Sequence, residues 1–133
     1  MHDRTVRLGW AMLIGASSLL AGCIAAAAAG GAGAAVYLTS RGAAGVVNGD
    51  MDQTDAKVRH VFAEQNITLS STSTKKEGDH REYRGQSGDH TLDVKLTRQG
   101  PTTTKVEVSS CTDAGLNCDK EFAKEILNRI VAE

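Results

Sequence analysis

Two arrangements of side chains in this sequence are of a type and spacing that could do chemistry. The tripeptide Gly78-Asp79-His80 recurs as Gly88-Asp89-His90. Two imidazoles and two carboxylates make a ligand set that divalent transition metals accept, provided both tripeptides sit at neighbouring strand ends. The plainer reading is turn chemistry, in which Gly-Asp reverses the chain and each histidine merely opens a strand. Cys111 and Cys118 are the second arrangement. Zinc-binding cysteine pairs usually stand about two to four residues apart, and the longer segment Thr-Asp-Ala-Gly-Leu-Asn intervenes here. A disulfide is therefore the expected state, with metal binding and free thiols as the alternatives. Nucleophilic catalysis finds little support. Ser87 lies in Gly85-Gln-Ser-Gly88, which does not match the G-x-S-x-G elbow. His60 reads as a boundary residue beside a helical apolar stripe. The sequence thus assigns no catalytic residue, no resident metal and no cofactor, and it points away from an enzyme.

Charge narrows the partners. The 133-residue chain has a formal net charge of −1, so it offers no basic surface for nucleic-acid phosphates. Lys75, Lys76, Arg81 and Arg84 are interleaved with Glu77, Asp79 and Glu82, which nearly cancel their field. They read as a solvated hairpin.

The N-terminus is an address. Arg4 and Arg7 precede the uncharged run Leu8–Leu20, as in an export signal. The run closes with Leu20-Ala21-Gly22-Cys23, which resembles the lipobox of bacterial lipoproteins. That resemblance implies cleavage before Cys23, diacylation of its sulfur, and attachment of the mature chain to a membrane through lipid. Ile24 rather than Asp at the next position implies, by similarity to enterobacterial sorting, delivery to the outer membrane facing the periplasm. In that oxidising compartment a Cys111–Cys118 bridge persists. An uncleaved membrane anchor is the competing reading, because about 20 apolar residues suffice to span a bilayer. Residues 24–35, mostly Ala and Gly, anchor poorly compared with acyl chains.

These pieces define three segments: a signal peptide over 1–22, a lipidated Cys and Ala/Gly tether over 23–42, and a domain over 43–133. In the uncleaved chain the signal and tether predict one helix from Arg4 to Leu38. Within the domain, Val46–Met51 predicts a first strand. Val58, Val61, Phe62 and Gln65 mark the apolar stripe of a helix, capped by Asp52 or Thr54 and ending near Asn66. A meander follows from Ile67, and its clearest strand carries Leu92, Val94 and Leu96 on one face and Asp93, Lys95 and Thr97 on the other. Gly100-Pro101 turns it into a strand with Val106 and Val108 inward. Phe122, Ala123, Ile126, Leu127, Ile130 and Val131 stripe the closing helix, and Glu125 and Arg129 pair along its exposed side. The predicted fold is α+β, a small antiparallel sheet in the order β-α-β-β-β-β-α with both helices on one face. Of the five aromatics, Trp10 and Tyr37 are expected to precede the folded part, leaving a thin aliphatic core.

The Ala/Gly tether, the first helix, the meander, the hairpin Leu96-Thr-Arg-Gln-Gly-Pro-Thr-Thr-Thr-Lys-Val-Glu-Val and the closing helix resemble a family of short bacterial lipoproteins classed as a domain of unknown function. The resemblance spans roughly 24–133 and implies a fold and a compartment, with no activity attached. This chain departs from it by a shorter first helix lacking Trp and by the Cys111–Cys118 loop. The expected function is a membrane-anchored envelope protein serving as a structural or protein-interaction module. A small-ligand or metal-binding module using Asp79, His80, Asp89 and His90 is the alternative.

Overall fold

The computed structural model of the protein describes residues 35–112 and 115–133. The lipobox-like Leu20–Cys23 and most of the expected signal helix and tether lie outside the described residues. The fold is α+β. Its six-stranded antiparallel sheet comprises β1 (Tyr37–Leu38), β2 (Gly42–Asn48), β3 (Thr68–Lys75), β4 (His80–Ser87), β5 (His90–Gly100) and β6 (Thr103–Cys111), in the spatial order β1-β2-β6-β5-β4-β3. Helix α1 (Met51–Glu64) follows β2, and α2 (Lys120–Ala132) closes the chain. Among the described residues no helix is long and apolar enough to cross a membrane.

Both helices bury their stripes against one face of the sheet in a single core. Val58, Val61 and Phe62 of α1 join Ile126, Leu127 and Ile130 of α2 over Leu92, Val94, Leu96, Val106 and Val108. Register explains this: Val94 lies opposite Val108 and Leu96 opposite Val106, so both strands send their apolar sets to the same side. The helix starts are chemically marked. Asp119 caps α2 by accepting from the Phe122 N–H at 2.9 Å. Asp50 caps α1, accepting from the Gln53 N–H while the Gln53 side chain accepts from the Asp50 N–H, a reciprocal box that satisfies two free donors.

Several expectations require correction. The first long strand is Gly42–Asn48, not Val46–Met51, and Met51 instead begins α1 as a buried residue. Small residues make this possible. Ala43 and Ala44 are fully buried, and a Cβ on Gly42 would run into the backbone of Val108 and Ser109. The α1 cap is Asp50, not Asp52 or Thr54; Thr54 lies inside the helix and its hydroxyl donates to the Asp50 carbonyl at 2.8 Å. The stripe of α1 includes Met51 and Thr54, whereas Gln65 sits at the helix exit, followed by Asn66 at φ 52°. Tyr37 and Leu38 do not end a helix. They form a short edge strand paired with Ala44 and Ala43, so the sheet takes in residues expected to belong to the tether.

A close approach organises the α1 side of the core. A Cβ on Gly85 would lie 2.5 Å from Ile67 Cγ2 and 2.9 Å from Phe62 Cε2. The bare backbone of β4 is what lets Phe62 and Ile67 seal the end of the core. Gly85→Ala is expected to destabilise the domain by about 1–3 kcal/mol through overpacking. Denaturant titration checks it: the midpoint falls while the m-value stays unchanged.

Candidate functional site

The two Gly-Asp-His tripeptides do not converge. His80 opens β4 opposite Thr97, whereas His90 opens β5 opposite Ser87, at the other end of β4. Seven residues of strand separate the two positions, about 23 Å at roughly 3.3 Å per residue. They also face opposite sides. His80 Nδ1 lies 3.1 Å from Thr97 Oγ1 on the outward face, and His90 packs edge-on against Phe122 of α2. Gly78 (φ 98°) and Gly88 (φ 61°) occupy turn conformations that favour glycine. Asp79 pairs with Arg98 at 2.7 Å. Asp79, His80, Asp89 and His90 therefore form no shared ligand set, and their repetition is turn chemistry.

Two other groupings were not visible in the sequence. Ser110 Oγ lies 3.3 Å from His90 Nδ1, and His90 Nε2 lies 3.7 Å from an Asp89 carboxylate oxygen. The order imitates a nucleophile, base and orienting acid. Ser110 is fully buried, however, so no substrate carbonyl reaches its oxygen in this conformation. Its partner histidine satisfies a polar group inside the core. The second grouping is His60, Glu64 and Glu133, whose ligand atoms all lie within 4.8 Å of one another. His60 and Glu64 share one side of α1, and Glu133 follows the end of α2. All three are exposed, and among the described residues no further side chain hydrogen-bonds to them to fix their orientation.

The surface with the most developed pattern is the outward face of the sheet, opposite both helices. Antiparallel register lays its side chains in rows. Ser73, Glu82, Lys95 and Glu107 form one, and Ser71, Arg84, Asp93 and Ser109 the next. Arg84 Nε donates to Asp93 Oδ1 at 2.7 Å, Lys75 reaches Glu82 at 3.3 Å and Lys105 reaches Glu107 at 3.1 Å. The rows border a shallow polar concavity of about 570 Å³. Opposite charges alternate across it, so it concentrates ions of neither sign. What it offers is a fixed grid of hydroxyls and paired charges for hydrogen bonding to another polar surface.

Under the opposite face, a second polar cluster ties α1 to β4. The buried Tyr83 hydroxyl donates to the Asp55 carboxylate, Arg59 Nε donates to the same carboxylate at 3.1 Å, and Arg81 pairs with Asp52. Burial, followed by the hydrogen bond to Asp55, holds the Tyr83 phenol well above its ordinary pKa. The expected bridge between Cys111 and Cys118 is present, and Arg41 Nη2 lies 3.9 Å from Cys111 Sγ. A scan against protein-family models found no match, and a search of curated proteins found none either.

Two outcomes follow from these contacts. A phenol whose pKa is raised by folding contributes stability that is whole below the unfolded value of about 10 and is lost as pH climbs toward the folded value. Tyr83→Phe is expected to cost about 1 kcal/mol at neutral pH. It should also abolish the extra loss, up to about 1.4 kcal/mol per pH unit, that the parent shows above pH ~10; unfolding midpoints across an alkaline pH series measure both. Reducing the disulfide removes a loop constraint of roughly 2.5 kcal/mol in the chain-entropy model. Thermal unfolding with and without reductant should then differ by several degrees, and alkylation before reduction should label neither Cys111 nor Cys118.

Proposed function

We propose that the chain is a lipoprotein of the bacterial cell envelope, cleaved after Gly22, acylated on Cys23 and held by that lipid at the periplasmic side of a membrane. Its α+β domain serves there as a non-enzymatic structural or protein-interaction module. The disulfide is the observation that carries this reading. Disulfides persist outside the cytoplasm and are rare inside it. Pairing Cys111 with Cys118 leaves Cys23, in Leu20-Ala21-Gly22-Cys23, as the one remaining cysteine of three. The resemblance to short lipoproteins of unknown function supports the same compartment, and Ile24 favours the outer membrane.

The interaction role draws on the outward face of the sheet. Paired charges such as Arg84 and Asp93 leave it locally neutral, which suits a patterned protein surface better than a polyanion. Fixed ion pairs at known spacing also discriminate between partners, because a mismatched partner would bring like charges together. The partner expected is therefore another protein of the envelope.

The mature protein is expected to begin at Cys23, to partition into detergent, and to carry acyl chains visible by mass spectrometry. Two or three such chains anchor a protein stably. Cys23→Ala should block both processing and lipid labelling. An intact Met1 on membrane-bound protein overturns the proposal.

A further inference from the structure

Large exposed apolar side chains are few among the described residues, and three of them share one edge of the sheet. Tyr37 is 51% exposed, Leu38 49% and Val46 41%. Tyr37 stands opposite Ala44, two residues before Val46 on β2, so Tyr37 and Val46 lie on the same outward face. Leu38 points to the other side of β1. Apolar groups therefore coat the β1 edge from both faces. Lys105 stands opposite Val46 on β6, paired with Glu107 at 3.1 Å, so no unpaired charge from β6 borders the patch there.

This edge is also where the chain enters the domain. A Cβ on Gly45 would meet the Ala35 carbonyl at 3.0 Å and Val36 Cγ2 at 3.5 Å, so Ala35 and Val36 lie against β2 at Gly45. The chain runs 14 residues from Cys23 to Tyr37, which reach at most about 50 Å when fully extended. We infer that the β1 edge, through Tyr37, Leu38 and Val46, rests on the surface of the bilayer that holds the lipid of Cys23. The inference depends on the lipid anchor proposed above.

The physical case combines three features. A patch of this size binds membranes poorly alone, but the acyl chains make its contact intramolecular, at high effective concentration. Tyrosine suits the headgroup region, with its ring in the apolar boundary and its hydroxyl in water. Of the other exposed apolar groups, Leu69 lies on β3 at the opposite edge, and Leu116, 90% exposed, lies in the disulfide loop. Seating β1 on lipid leaves β5 and β4, further across the sheet, outside the contact and free for a partner.

Tryptophan fluorescence tests this directly. The full chain carries Trp10→Phe throughout, so that one introduced indole reports alone, combined with Tyr37→Trp, Leu38→Trp or Leu116→Trp. Each purified lipoprotein is reconstituted into vesicles of phosphatidylethanolamine, phosphatidylglycerol and brominated phosphatidylcholine. Interfacial side chains sit roughly 5–10 Å into the headgroup boundary, so indoles at 37 and 38 are expected to lose about half or more of their emission. The indole at 116 should stay near its value in unbrominated vesicles. Mass spectrometry of the same samples separates the two possible failures. An acylated Cys23 terminus, with positions 37 and 38 quenched no more than 116, overturns the bilayer contact alone. An intact Met1 overturns the lipid anchor and, with it, this inference.

Discussion

A sheet covered on one face must carry two incompatible surfaces on every strand, because successive side chains point to opposite sides. In this protein both helices lie on the same face, and the consequences run through the whole domain. Leu92, Val94 and Leu96 face the helices while Asp93 and Lys95, between them, face water. A one-residue slip of β5 would exchange these sets and bury charges. Register is therefore strongly specified, and the same register that builds the core aligns Arg84 with Asp93 and Lys95 with Glu107 outside. The outward grid is a by-product of core formation, made neutral by the choice of charges.

The α1 side of the core shows how a small domain with few aromatics manages its polar atoms. Tyr83 fills space under α1, and its hydroxyl needs a partner where water is excluded. Asp55 supplies one, and Arg59 and Arg81 surround that carboxylate, with the Arg59 guanidinium 5.6 Å from the Tyr83 ring centre. Nearby, Gly85 withholds a side chain so that Phe62 and Ile67 can close the core. One position provides a large residue with a satisfied polar tip, and the next inward position on the same strand provides none. Together they set how α1 lies across β4.

The legible and the illegible parts of the fold divide along physical lines. Strand β5 and helix α2 were readable because Leu92-Val94-Leu96 and Ile126-Leu127-Ile130 repeat with the periods of strand and helix. Strand β2 is hard to place from sequence because four of its five buried positions are Gly42, Ala43, Ala44 and Gly45, whose value lies in permitting close approach, not in hydrophobicity or β-propensity. Tyr37 and Leu38 read as a helix end in the sequence because an Ala/Gly run before them masks a two-residue strand. The Ser110–His90 contact and the His60, Glu64 and Glu133 cluster join segments distant in sequence, and only strand register and helix packing bring them together. The disulfide was different. Its two cysteines are near in sequence, and the elements on either side were already readable as a strand and a helix.

That disulfide sits where β6 hands over to α2, and several bonds converge on the junction. Cys118 returns to Cys111, the Asp119 N–H donates to the Ser110 carbonyl at 2.8 Å, and the Asp119 side chain caps the helix that begins at the next residue. The corner thus fixes both the origin and the direction of α2. The helix then covers Ala43 and Val47 of β2, with Ile126, Leu127 and Ile130 in the same core. Small residues on β2 are tolerable only beneath a helix held close, since an apolar surface this shallow contributes little unless the gap above it is filled. Strand β1 in turn pairs with β2 at Ala43 and Ala44. Order imposed at one corner therefore passes from the bridge to α2, from α2 to β2, and from β2 to the edge at which the chain enters. A covalent link between residues only seven apart supports the part of the sheet whose own side chains are too small to hold it.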